Sequence, residues 1–135
     1  MEIQEVALPR AATVSPQPVI PATDLARAKA FYTDTLGLKL IEEGEEELVC
    51  ESGATQFTVY HTPSGGQAAH TLASFKVADL DGEMSALRDR GITFEEYDFP
   101  GLKTVNGVAE GEGMRAAWFK DSEGNILCLA QRVGR

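Results

Sequence analysis

Two stretches of the chain carry the same order of apolar and polar positions. Residues 22–43, "ATDLARAKAFYTDTLGLKLIEE", open on Asp-Leu and place Leu25, Ala28, Tyr32 and Leu36 on one helical face. They then reach Gly37 and pass into an alternating segment that ends in paired glutamates. Residues 77–96, "VADLDGEMSALRDRGITFEE", repeat this with Leu80, Met84 and Leu87 on the face and Gly91 at the break. Asp24 and Asp79 stand 55 residues apart, and Gly37 matches Gly91 once one residue is dropped from the second helix. An aspartate at such a position can accept bonds from the orphan N–H groups of a first helical turn. A glycine at the far end supplies the left-handed residue that stops the helix.

Strand patterns flank both helices. "QPVIP" precedes the first and "HTLASFKV" the second, and "LKLIEE" and "ITFEEY" follow them. Each half then has two more: "EELVCES" and "TQFTVYHT" around Ser52-Gly53, and "RAAWFKD" and "ILCLAQ" around Glu123-Gly124. The pattern predicts an α+β chain built as βαβββ twice, an internal duplication. Residues 1–12 read as a loose leader and 13–135 as a single domain, with module 1 at about 13–62 and module 2 at about 68–132. A Gly-rich loop, residues 99–114, interrupts the second copy and is long enough to predict a functional flap.

Charge and composition narrow the function classes. The 135 residues carry a net charge of −9 and no basic run, which argues against nucleic-acid binding. No apolar stretch has the length of a membrane span, and no signal peptide is visible. Cys50 and Cys128 each fall in a predicted strand, so reduced thiols and a cytoplasmic location are expected.

"PATDLARAKAFYTDTLGL", "VADLDGEMSALRDRGITFEE" and "DSEGNILCLAQ" together resemble the vicinal oxygen chelate superfamily, which includes glyoxalase I, extradiol dioxygenases, fosfomycin-resistance enzymes and bleomycin-resistance proteins. The resemblance covers about residues 15–131. It implies two modules curving into a half-open sheet around a cavity, paired in a homodimer. It fixes the fold far better than the chemistry.

The resemblance also implies where a divalent metal would be held. The first-strand ligand lies seven residues before each capping aspartate, at Gln17 and Leu72. The last-strand ligand lies three residues after the asparagine of the Asp-x-x-Gly-Asn turn, at Cys128. Matching "FTVY" to "LCLA" puts Thr58 in the fourth place. Leucine cannot ligate, threonine and glutamine are weak neutral donors, and one cysteine does not make a site. The expectation is therefore no metal and no cofactor. A shifted site using His70 and Cys128 is the alternative. The plainer reading leaves His61 and His70 solvated around "HTPSGGQAAH". Nucleophilic use of Cys128 would need a base that nothing in the sequence supplies.

Alternation sketches the lining of the cavity instead: Ile126, Cys128 and Ala130; His70, Leu72, Ser74 and Lys76; Gln56, Thr58 and Tyr60; Ser15, Gln17 and Val19. Flap aromatics join them, with Trp118 open to either face, while Phe31, Phe75 and Phe94 are assigned to the core. Gln17, Thr58, Tyr60, His70, Leu72, Met114, Trp118 and Cys128 are the expected ligand-binding residues, and no catalytic residue is assigned. Such a lining suits an amphiphilic or aromatic small molecule. The reading leans to a metal-independent binding protein of the bleomycin-resistance type, giving antibiotic resistance by sequestration. The alternative is a glyoxalase-like lyase, isomerase or dioxygenase with a displaced metal site. Metal-free catalysis by His70 or Tyr60 is a third.

Overall fold

A computed structural model describes residues 16–133. In chain order it contains β1 (Val19–Ala22), α1 (Leu25–Ala30), β2 (Lys39–Glu43), β3 (Glu47–Ser52), β4 (Thr55–His61), β5 (Thr71–Lys76) and α2 (Leu80–Asp89). The short strands β6 (Asp98–Phe99), β7 (Leu102–Lys103) and β8 (Ala109–Gly111) follow, then β9 (Met114–Lys120) and β10 (Ile126–Arg132). The leader expected at residues 1–12 lies outside the described residues, as does Ser15.

Both helices start as their sequences predict. Asp24 accepts from Arg27 N–H at 3.0 Å and Asp79 from Gly82 N–H at 3.1 Å. Both breaks are left-handed, with φ of 74° at Gly37 and 94° at Gly91. α1 runs on as one widened π-helical turn over Phe31–Thr35, with Leu36 N–H bonding Phe31 O. Ala28, Tyr32, Leu80, Met84 and Leu87 are all buried.

Each module makes one four-stranded sheet, in the orders β1-β4-β3-β2 and β5-β10-β9-β8. The duplication extends to the register. Val19 pairs with Thr58, and Ser74, 55 residues beyond Val19, pairs with Cys128. The antiparallel partners are Val49 for Thr58 and Trp118 for Cys128. Thr58 and Cys128 are therefore the same place in the two copies.

One expected strand is nearly absent. "ITFEEY" contributes only a bridge from Phe94 to Phe119 and a bond from Glu95 N–H to Trp118 O. The outer edge of β9 is instead shared with β8, whose Ala109 and Gly111 pair with Ala116 and Met114. Between these two pieces the chain leaves to form the flap. The flap is itself structured: β6 and β7 form a hairpin, and buried Thr104 closes its base by accepting from Tyr97 N–H at 2.8 Å and donating to Glu96.

A common core joins the modules. It includes Ile20, Tyr32, Leu48, Phe57 and Val59 from the first and Leu80, Met84, Phe119, Leu127 and Leu129 from the second. Phe57 meets Phe75 across the seam, with ring centroids 6.3 Å apart. Each such burial is worth about 1.5–3 kcal/mol. Among the described residues no helix is long and apolar enough to cross a membrane.

Candidate functional site

Along each strand the residues that avoid the core make the opposite face. On β10 the core takes Leu127 and Leu129, leaving Ile126, Cys128 and Ala130 on the other side. Cross-strand partners share a face, so Trp118 and Ser74 flank Cys128. This settles the parity of Trp118, which alternation along β9 alone leaves undecided. Phe119, its neighbour, is fully buried in the core and is no part of the face.

The face of module 2 is aromatic. Trp118 Nε1 donates to Thr71 Oγ1 at 3.1 Å, which ties the indole to β5. Tyr97 packs edge-on against Trp118 at 5.7 Å and against Phe99 at 5.9 Å. Tyr97, just ahead of the flap, thus meets the strand tryptophan, and Phe99 of the flap meets Tyr97 in turn. Burial, then the nearby Glu95 and Cys128, push the Tyr97 phenol up.

The other expected residues divide. Met114 pairs with Arg132 and Gly111 at the end of β9. Leu72 is the bulge residue of β5: Thr71 pairs with Ile126 and Ala73 with Leu127, leaving Leu72 between them. His70 precedes β5, is exposed, and has Nδ1 3.2 Å from Thr71 O. The bulge breaks the alternation that would put His70 on the Leu72 face. Thr58 and Tyr60 lie on β4 of the first sheet, and Gln17 is exposed just ahead of β1.

The donor chemistry at the positions implied for a metal does not fit one. Leu72 has no donor atom, and Gln17 and Thr58 offer neutral oxygens. Burial pushes the Cys128 thiol up, against smaller opposing effects from Ser74 and the Ala117 backbone, so it stays protonated near neutral pH. Its Sγ lies 3.4 Å from Leu129 O. A protonated, buried thiol is neither a good ligand nor a good nucleophile. Among the described residues no group of three or more His, Cys, Asp or Glu side chains is arranged to hold a metal ion.

Sequence reasoning passed over the strongest polar cluster, in the turn from β9 to β10. Asp121 Oδ1 accepts from the N–H groups of Glu123 and Asn125 at 2.8 and 2.9 Å. Its Oδ2 accepts from Tyr32 and from Asn125 Nδ2. Glu123 reaches the start of α1, where it accepts from Thr23 N–H, Asp24 N–H and Arg27. Burial alone would raise the Glu123 carboxyl, but bonds from Arg27, Asp24 N–H, Ser122 and Thr23 outweigh it and bring it down to about 2. The cluster ties the last turn of module 2 to the first helix of module 1. Its saturated hydrogen bonding marks it as a clamp, not a reactive centre. The available signal was Asp-x-Glu-Gly-Asn beside a helix carrying Tyr32.

Two clefts lie away from Trp118 and Cys128, and the second of them is bordered by Ser74 and Lys76 of the expected lining. One, of about 550 Å3, is lined by α2, the flap and β9. The other, of about 500 Å3, follows the seam between the modules, where Ile20 and Phe57 face Ala73 and Phe75.

Comparison with known proteins agrees with the fold. The family model for the Glyoxalase/Bleomycin resistance protein/Dioxygenase superfamily matches residues 14–129. A search of curated protein sequences returns no match. A glyoxalase/bleomycin resistance protein/dioxygenase from Alicyclobacillus acidocaldarius superposes with a TM-score of 0.67 at 19% identity, covering 90% of this chain and 93% of that one. TnmS3, an antibiotic binding protein from Streptomyces sp. CB03234, gives 0.63 at 21% identity over 89% and 98%. A genomically encoded fosfomycin resistance protein from Listeria monocytogenes gives 0.65 at 14% identity over 87% and 89%. Likeness at these identities speaks for the fold alone.

Proposed function

The chain belongs to the Glyoxalase/Bleomycin resistance protein/Dioxygenase superfamily, and on that premise we propose that it is a metal-independent binding protein that sequesters a bulky aromatic or amphiphilic small molecule. The observation that carries this reading is the environment of Cys128. The position where the family resemblance implies a metal-ligating carboxylate holds a protonated thiol, with Trp118 beside it in register, Tyr97 edge-on to Trp118 and Phe99 edge-on to Tyr97. The place for a metal has become contact surface.

A flat ring system stacks on Trp118 and Tyr97, and hydroxyls of Thr71 and Ser74 orient its polar groups. A second copy of the chain closes the site. Val19 is 58% exposed, Tyr60 38% and Phe99 53%, and a homodimer covers these apolar side chains while bringing Thr58 and Tyr60 toward the aromatic face. One structural neighbour, TnmS3, is an antibiotic binding protein, which makes aromatic antibiotics the first ligands to try.

The test is a thermal-shift panel of aromatic and glycosylated natural products, followed by titration of Trp118 fluorescence, which is unambiguous because the chain has 1 Trp. A true ligand at a hundredfold excess over its Kd adds about 2.7 kcal/mol of stability. Trp118→Ala should weaken binding at least about tenfold, the equivalent of some 1.4 kcal/mol of lost stacking. A panel with no hit would sink the proposal. Stoichiometric Zn, Ni, Fe or Mn in protein purified without chelators would replace it with the glyoxalase-like reading.

A further inference from the structure

The geometry points to a second ligand site, for an organic anion with an apolar body, in the cleft between α2 and the flap. Its volume of about 550 Å3 is within the range of small-molecule sites. Three of its lining residues are cations, Arg88, Lys103 and Arg115, against two acids, Asp81 and Glu110. In a chain of net charge −9 this is a local reversal of sign.

The cations are not equivalent. Arg115 is committed to the protein: it makes two bonds to Asp81, at 3.2 and 2.9 Å, and one to Glu110 at 3.3 Å. Arg115 with Asp81 and Glu110 sums to one negative charge, so the lining as a whole keeps one positive charge, carried by Arg88 and Lys103. Arg88 is held in place by the Phe94 ring, 5.2 Å from its guanidinium carbon, and by a bond from Nη2 to Asn106 O at 3.1 Å. Its Nε and Nη1 have no protein acceptor among the described residues. Lys103 has only an exposed pair with Asp98 at 3.4 Å, which solvent screens.

The wall opposite α2 is preformed. Val105 and Val108 exchange backbone bonds of 2.9 and 3.1 Å around Asn106 and Gly107, whose φ values are 55° and 83°. Positive φ at both central residues is the tight hairpin turn that Asn-Gly favours. A Cβ on Gly107 would lie 3.1 Å from Phe94 and 3.2 Å from both Arg88 and Met84, so the turn sits directly on the helix. Little ordering is needed on binding. Met84 and Val108 supply an apolar floor, and Val105, 63% exposed, is an apolar side chain the fold leaves uncovered. The ligand places its carboxylate or phosphate on Arg88 and Lys103 and its apolar body against Val105.

The site is independent of the aromatic face, and calorimetric titration of the full chain tests it separately. Octanoate and phenyl phosphate are the probes, with octanamide and inorganic phosphate beside them. Saturable binding of octanoate supports a carboxylate site, and of phenyl phosphate a phosphate ester site. Arg88→Gln and Lys103→Gln should each lower affinity at least about tenfold, the value of one charge-assisted hydrogen bond. Val105→Asp, on the exposed turn, should do the same, while Lys39→Gln on β2 should change nothing. The proposal is overturned if no organic anion saturates, if octanamide or inorganic phosphate binds as tightly, or if the folded Arg88 and Lys103 variants bind normally.

Discussion

Tyr32 and Asp121, 89 residues apart in sequence, meet in a buried hydrogen bond of 2.5 Å, the phenol donating to Oδ2. The Tyr32 ring is fully buried between Phe31 and Phe57, at centroid distances of 5.3 and 5.6 Å. Burial, and then the Asp121 charge, hold the phenol far above its ordinary pKa, so it donates at every accessible pH. Tyr32→Phe keeps the packing and removes one of four donors to a buried carboxylate. The expected cost is about 2 kcal/mol in denaturant unfolding, with the slope unchanged. A variant as stable as the wild type would mean that the clamp does not hold the modules.

Glu123 gives the clamp its pH dependence. Its side chain is 0% exposed and its carboxyl is brought from 4.5 down to about 2. A carboxyl whose pKa is lower folded than unfolded adds stability above the unfolded value and loses it as pH falls through the folded one. The contribution of about 3 kcal/mol should therefore be present at neutral pH and disappear between about pH 4.5 and 2. Glu123→Gln should be markedly less stable at pH 7, with its deficit against the wild type shrinking across that window. A constant deficit in melting temperature from pH 7 to pH 2 would refute the assignment.

Both thiols should be inert. Cys50 and Cys128 are free and buried, and burial pushes both up from 9.0. Iodoacetamide at neutral pH should label neither until the protein is unfolded, when mass spectrometry should find two additions. Rapid labelling of Cys128 in the native state would restore the thiol as a chemical group.

The parts legible in the sequence were local ones. The capping aspartates, the left-handed glycines and the helix faces depend on residues within a turn of one another, and all appear where the pattern places them. The equivalence of Thr58 and Cys128, implied by the match of "FTVY" to "LCLA", reappears as shared register. The Asn106-Gly107 turn is a local signal of the same kind, since Asn-Gly between Val105 and Val108 favours a hairpin turn inside the Gly-rich loop.

By itself, then, the sequence determined a duplicated βαβββ fold, with the positions implied for metal ligands occupied by Gln17, Thr58, Leu72 and Cys128. Tertiary structure decided the rest. It set Trp118 beside Cys128, because a strand's facing depends on the partner it pairs with and period-2 alternation cannot choose between two sides. It reduced the strand at Phe94 to a bridge, because β9 has one free edge and β8 takes part of it. It joined Glu123 to Thr23, 100 residues away, and set Arg88 under the flap. Such contacts leave no period in the chain, since their energy comes from groups that folding alone brings within reach.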